Sequence, residues 1–350
     1  MSVVRFDQIA RECRETFKGS FEGKPIVGLE HIEPYDMLLK NYDVDVETTF
    51  TKSFKKDQIL FGRRRAYQHK ACVATIDGIC SGDITVIEPI EGKVYPDLLP
   101  FIIQNDDFFE HAIKGSNGAL SPRVKWEHMA NFEFDLPPLA EQKVLAEKLW
   151  AAYEVKQSYL KMIAATEEMV KSQFIEMVAN CSEKDILSNI VLNIKTGKLN
   201  ANAADDGGAY PFYTCDETPK KINDYAFDTE AILVSGNGSQ IGHLFYYKGK
   251  FNAYQRTYVL SDFSDKIDVQ FLFNYFKIFL KPYIMENCIG SAIPYITLPM
   301  LEKFVTPTPS KELQKKFVSI AEQADKSISE LRKSVDAIDK VIKSLINENL

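Results

Sequence analysis

The sequence predicts an α+β protein in which two pseudo-twofold-related lobes are separated by two long antiparallel coiled-coil helices. Three observations lead there. The C-terminal half repeats the N-terminal half; two stretches carry apolar residues at alternating steps of four and three; and each stretch follows a run of short strand-like segments with one apolar helix.

The repeat holds at the level of single side chains. A shift of 172 residues carries Phe132 onto Phe304, Pro137 onto Pro309, Gln142 onto Gln314 and Lys143 onto Lys315. Upstream, a shift of 173 pairs Ile59-Leu60 with Ile232-Leu233, and Ile84, Val86 and Ile87 with Thr257, Val259 and Leu260. Two copies are too few for a stacked solenoid, so a two-lobed molecule is expected.

Residues 1–136 form the first lobe, with strands expected at Gln58 to Gly62, Ala71 to Ile76 and Asp83 to Ile87 and a helix from Pro96 to Lys114. Pro137-Pro138 stops the last strand. The first spacer helix, 137–180, then follows, its helical run from Leu139 to Ala179 being about 60 Å long at roughly 1.5 Å per residue. Its seam runs through Leu145, Leu149, Ala152, Lys156, Tyr159, Ile163, Thr166, Val170 and Gln173, with Met162, Met169 and Phe174 as a neighbouring stripe.

The second lobe, 181–307, repeats the plan with strands at Ala231 to Ser235, Leu244 to Tyr247 and Tyr258 to Leu260 and a helix around Val269 to Met285. The second spacer helix, 308–350, has the drier seam: Phe317, Ala321, Ala324, Ile328, Leu331, Val335, Ile338, Ile342 and Leu345. Each seam could serve only as core for its own lobe. Their persistence beyond the length of an average helix favours pairing of the two rods, and the chain order makes that pairing antiparallel.

Composition narrows the function classes. The six cysteines are dispersed and the histidines isolated, which fits a reduced cytoplasm and argues against a zinc site or a Ser/His/Asp or Cys/His nucleophile. The most apolar stretch, Phe271 to Leu280, is too short to span a bilayer. The net charge of −7 excludes a basic coat but leaves room for local basic patches.

The segment Pro137-Pro138-Leu139-Ala140-Glu141-Gln142-Lys143, its weaker echo at Pro309 to Lys315, and the alternation of lobe and long helix resemble the specificity (S) subunits of type I restriction-modification enzymes. The resemblance covers essentially the whole chain. It extends to Ile59 through Gln68 with Asp77 through Asp83, and to Ser235 through Gly238 with Ala253 through Thr257, which look like strand-turn-strand parts of target recognition domains. The second copy departs from the pattern where Pro309-Ser310-Lys311-Glu312-Leu313-Gln314 replaces the tidier first motif.

The resemblance implies a non-catalytic, sequence-specific subunit. Each lobe would read one half of a split, asymmetric sequence in double-stranded DNA, and the helices would set the spacing and dock two methyltransferase subunits, with restriction subunits joining that core. S-adenosylmethionine, ATP and magnesium would then belong to the partners, with no cofactor or metal on this chain.

Candidate DNA-binding residues follow from donor chemistry in the matching loops. In lobe one these are Arg63, Arg64, Arg65, Tyr67, Gln68 and Lys70, since arginine grips phosphate or guanine and glutamine pairs with adenine. In lobe two they are Asn237, Ser239, Gln240, Tyr254, Gln255 and Arg256. The loop from Gly236 to His243 lacks the ending of a phosphate-binding P-loop and reads as a hairpin tip whose glycines supply positive φ. Lys52, Lys55 and Lys56 rank second, as phosphate contacts or plain surface charge.

Catalytic readings are weaker. Pro137-Pro138 lies between Leu136 and Leu139, which offer neither an acceptor for an amino group nor a stacking ring, so the chain should not methylate DNA itself. Glu22-Gly23-Lys24 lacks a partner acid for nuclease chemistry. The rival from another class is a structural adaptor that spaces protein-binding lobes without reading DNA.

Overall fold

A computed structural model describes residues 2–116, 118, 121–288 and 294–350. The chain divides into two compact units, Met1–Leu160 with Arg332–Leu350, and Lys161–Leu331. The first unit thus holds the start of the first long helix, Leu139–Ala179, and the end of the second, Lys311–Asn349; the second unit holds the reverse, which is antiparallel order. The fold is α+β with two repeated lobes and two long helices, as the sequence predicts.

The two lobes are built on one strand order. In lobe one Ala10–Cys13, Ile84–Pro89, Ile59–Gly62 and Ala71–Val73 lie side by side; in lobe two Val191–Thr196, Thr257–Phe263, Phe227–Ser235 and Leu244–Ala253 follow the same sequence of neighbours. Their difference lies beyond the fourth strand. Leu244–Ala253 runs on unbroken to pair in parallel with Tyr210–Tyr213, giving six strands. In lobe one the chain leaves the sheet after Val73 and resumes at Gly78–Cys80, which pairs in parallel with Pro25–Val27 in a separate four-stranded sheet.

Each lobe closes with a two-stranded ribbon beside its rod. Ser2–Arg5 pairs with Glu133–Leu136, and Lys184–Ile186 with Val305–Pro307, so the strand that feeds each rod is tied to the start of its own lobe. The expected single helix from Pro96 to Lys114 is instead interrupted at Asn105, whose side chain accepts from the Asp107 amide and caps a new helix, Asp106–Lys114.

The repeated glutamine explains the repeated motif. Gln142 is buried; its Oε1 accepts from the Tyr95 amide at 2.8 Å and its Nε2 donates to the Pro137 carbonyl at 2.7 Å. Gln314 does the same in the second copy, accepting from the Asp268 amide at 2.6 Å and donating to the Pro309 and Lys266 carbonyls at 2.7 and 2.9 Å. Tyr95 and Asp268 each immediately precede a lobe helix, Pro96–Leu98 continuing into Leu99–Gln104 and Val269–Asn287. One amide therefore ties the first turn of each rod to the start of a helix in its lobe, satisfying backbone groups that helix ends leave open.

The rods meet their lobes and each other differently in the two units. In the first unit Tyr153 donates to the Asp36 carboxylate at 2.5 Å and Lys156 pairs with Asp339 at 2.6 Å. In the second, Phe174 and Phe317 lie 4.1 Å apart between ring centres, both buried. The first seam is buried or half-buried from Leu145 to Val170; Gln173 is exposed, and Phe174 takes its place. Met162 and Met169 are not part of the packed stripe, being 53% and 48% exposed.

Candidate nucleic-acid interface

In lobe one the strand Ile59–Gly62 runs into Arg63, Arg64 and Arg65, then into a single 3-10 turn, Ala66–Gln68, before Ala71–Val73 returns. Arg65 and His69, on either side of that turn, both adopt left-handed φ, 54° and 51°. Non-glycine residues rarely do so, and the surrounding bonds hold them there. The Arg63 amide donates to the Asp83 carbonyl at 2.9 Å, the Val124 amide to the Arg63 carbonyl at 2.8 Å, and the Arg65 amide to the Pro122 carbonyl at 2.8 Å.

The arginine side chains are steered by Asp83. Arg123 donates to its carboxylate through Nε at 2.7 Å and Nη2 at 3.3 Å, and Arg64 Nη1 stands 3.5 Å away while its Nε donates to Ser121 Oγ at 2.6 Å. The Arg123 hydrogen bond, opposed by burial and reinforced by the charges of Arg123 and Arg64, holds the Asp83 carboxyl below the usual carboxylate range. Arg63 lines a neighbouring concavity with Arg14, Lys125 and Glu127, its Nε buried without a hydrogen-bond partner.

The remaining lobe-one candidates divide. Arg65 and Tyr67 are exposed and Gln68 is half-buried. Lys70 is drawn elsewhere, its ammonium donating to the Leu29 carbonyl at 2.6 Å. His69 is stacked on Tyr35 and packed against Phe109, which pins the far end of the loop. Lys52 is also spent on backbone, donating to the Ile84 carbonyl at 2.8 Å, and Lys55 stands 3.5 Å from Glu15.

In lobe two the loop between Phe227–Ser235 and Leu244–Ala253 is a hairpin tip, with Gly238 and Gly242 at φ 79° and 75°. The Gly236 amide donates to the Arg256 carbonyl at 2.8 Å, and the Ile296 amide to the Gly236 carbonyl at 2.8 Å. A Cβ at Gly236 would meet the Arg256 carbonyl oxygen at 2.3 Å, so this position excludes a side chain, whereas Arg63 carries one at the matching bond of lobe one. The start of the loop, Gly236 with Asn237 next to it, is thereby brought against the Arg256 backbone. Tyr254 and Gln255 continue the same edge, and the Gln255 side chain donates through Nε2 to Asn200 Oδ1 at 2.8 Å.

Sequence reasoning missed the segments that flank both loops. Arg64 forms an isolated antiparallel bridge with Arg123, and Asn237 forms one with Tyr295. The signal was present in the repeat itself, since Pro122-Arg123-Val124 and Pro294-Tyr295-Ile296 are related by the same shift of 172. Among the described residues no cluster of three or more His, Cys, Asp or Glu side chains could hold a metal ion, and no helix is long and apolar enough to cross a membrane.

A lobe and long helix used twice, each lobe presenting one framed polar loop, is an arrangement with known counterparts. The model of the type I restriction modification DNA specificity domain matches twice, at residues 14–158 and 187–338, and the chain belongs to that family. The specificity subunit of the type I restriction enzyme EcoDI from Escherichia coli is 40% identical over 151 residues, covering 43% of this chain and 32% of that protein's own length. The chain matches well under half of that relative.

Two solved structures share the fold along the whole chain. The S subunit of a type I restriction-modification system from M. genitalium aligns over 99% of this chain and 94% of its own, with a TM-score of 0.61 and 14% identity. A chain from a study of complex assembly and conformational transition of the type I R-M system aligns over 99% and 97%, with a TM-score of 0.60 and 15% identity.

Proposed function

We propose that this chain is the sequence-reading subunit of a type I restriction-modification complex, itself non-catalytic, with each lobe reading one half of a bipartite, asymmetric DNA target. The observation that carries this reading is the pair of loops, one per lobe, held by equivalent backbone bonds yet carrying different polar side chains. Equal frames suit one geometric task performed twice; unequal side chains suit two different base sequences.

The long helices set the distance between half-sites and dock two methyltransferase subunits, with restriction subunits joining them. The exposed Met162 and Met169 on the first long helix provide adaptable apolar surface of the kind a partner buries. Methyl donor, ATP and magnesium bind the partners, and the complex works in the cytoplasm. Phosphate contacts give the binding its salt dependence, log K falling by roughly 0.9 per phosphate neutralised for each unit of log salt.

Mapping methylated adenines genome-wide in cells with and without this chain tests the reading. A two-part motif that appears only with the chain is expected. Methylation without any sequence motif, in a complex that still assembles, would favour the structural adaptor instead.

A further inference from the structure

We propose that Arg123 in lobe one and Tyr295 in lobe two are base-reading residues, completing sets whose other members are Arg64 with Asp83 and Asn237 with Arg256. The inference rests on the DNA-reading function above and names residues for it that lie outside both predicted loops.

Two backbone bonds and one bridge are repeated between the lobes. The amide of Arg63 reaches the carbonyl of Asp83, as the amide of Gly236 reaches that of Arg256; the amide of Val124 reaches the carbonyl of Arg63, as that of Ile296 reaches Gly236. The bridges Arg64 to Arg123 and Asn237 to Tyr295 complete the match. Residues opposite one another in an antiparallel bridge send their side chains to the same face, about 4.5 to 5.5 Å apart at Cβ. Each lobe therefore presents two side chains from neighbouring segments together, with a third residue, 83 or 256, at the same edge.

The chemistry at these positions differs in a directed way. In lobe one the Asp83 carboxylate holds Arg123 by Nε and Nη2, and Ser121 holds Arg64 by Nε, while both side chains remain 46% and 40% exposed. Arg123, fixed through Nε and Nη2, keeps its Nη1 donors and one Nη2 donor outside that pair, and with its rotamer already held it loses less freedom on binding. Guanine O6 and N7 are the natural acceptors for such a fork. In lobe two the carboxylate is replaced by Arg256, and the paired positions carry an amide and a phenol, Asn237 and Tyr295. Asparagine pairs with adenine through N6 and N7. Lobe one is therefore assigned a half-site containing guanine, and lobe two a half-site containing adenine.

The full chain, expressed with its methyltransferase subunits, is tested by mapping the methylated motif for wild type, Arg123→Ala, Arg123→Lys and Tyr295→Ala. Arg123→Ala should degrade one G·C position in one half-site, discrimination there falling about ten- to a hundredfold, with the other half unchanged. Tyr295→Ala should degrade the opposite half. The undisturbed half in each variant reports that the subunit folded and assembled. Should Arg123→Ala abolish methylation altogether, Arg123→Lys decides: a lysine keeps the charge but reaches O6 and N7 without the planar fork, so weaker discrimination at that G·C position supports the proposal and a loss spread evenly over all sequences overturns it. Weaker binding with unchanged base preference would make Arg123 a phosphate contact and overturn its base-reading role. Unchanged motifs in all variants of a wild type that does specify a bipartite sequence would overturn the inference while leaving the DNA-reading function standing. A wild type with no two-part motif would instead remove the function it rests on.

Discussion

Lobe one and lobe two solve the same folding problem with different chemistry at the same places. Where the loop meets its flanking segment, lobe one sets two arginines around a carboxylate, and lobe two carries an amide and a phenol on the bridge and an arginine at the position of the carboxylate. Where lobe and rods come together, the first unit uses Tyr153 on Asp36 and the rod-to-rod pair of Lys156 and Asp339, and the second uses the buried rings of Phe174 and Phe317 on the rods against Phe271 of the lobe. Backbone bonds and strand order are common to both. The duplication thus keeps what main-chain geometry requires and lets side chains vary wherever a different one fits the same frame.

The largest expected effect is at the aromatic junction of the second unit. Phe174 is fully buried and touches Phe271, Tyr275, Phe279 and Phe317. Phe174→Ala should cost about 3–5 kcal/mol, the usual range for emptying such a site. In the first unit the corresponding work is shared with polar contacts; Lys156 and Asp339 keep side-chain exposures of 19% and 42%, so Lys156→Ala should cost no more than about 1 kcal/mol. Denaturant unfolding of the two variants measures the contrast. Equal losses would mean that the two junctions are energetically alike despite their chemistry.

Most of the architecture was legible because it is written in periodicity and in the repeat. The first long helix spans Leu139–Ala179, the run its heptads and the preceding prolines indicate, and the strands flanking each loop lie where apolar runs place them. The break at Asn105 was hidden because an N-capping asparagine leaves the apolar period almost undisturbed. Met162 and Met169 misled for the opposite reason: an apolar residue beside a seam resembles core, although each faces outward. In the candidate site, the loops were visible as dense polar clusters, whereas Asp83, Arg123 and Tyr295 were not. Their role depends on an isolated bridge between segments about sixty residues apart in each lobe, and no local pattern encodes that pairing. Lys70 looked like part of the basic cluster by sequence adjacency; its ammonium is turned onto the Leu29 carbonyl by the left-handed backbone at His69 that precedes it.

The next effect tests whether the repeated glutamine is one device or two. Gln142→Ala leaves the Tyr95 amide and the Pro137 carbonyl without their buried partner; Gln314→Ala leaves the Asp268 amide and two carbonyls. Each should cost about 1–3 kcal/mol, with Gln314→Ala the more damaging because it strands one more group. Thermal melts of the two variants give the order. A harmless Gln142→Ala would show that the tie between rod and lobe is needed in only one copy.

The smallest effect follows from the charge difference at positions 83 and 256. Because Arg123 and Arg64 hold the Asp83 carboxyl below its ordinary value, the folded state binds this proton more weakly than the unfolded chain. Its contribution to stability is therefore fully present above the ordinary carboxylate value of roughly 4, and is lost as pH falls through that value to the lowered one. Asp83→Asn keeps the shape and removes the titration, so the gap in Tm between wild type and variant should narrow on acidification from about pH 6 to about pH 3. Arg256→Gln removes no carboxylate, so it should change Tm by an amount that does not vary over this range. A gap that stays constant for Asp83→Asn as well would mean that the carboxylate's partners are free in solution. The two arginines would then be held as loosely as the exposed Arg65.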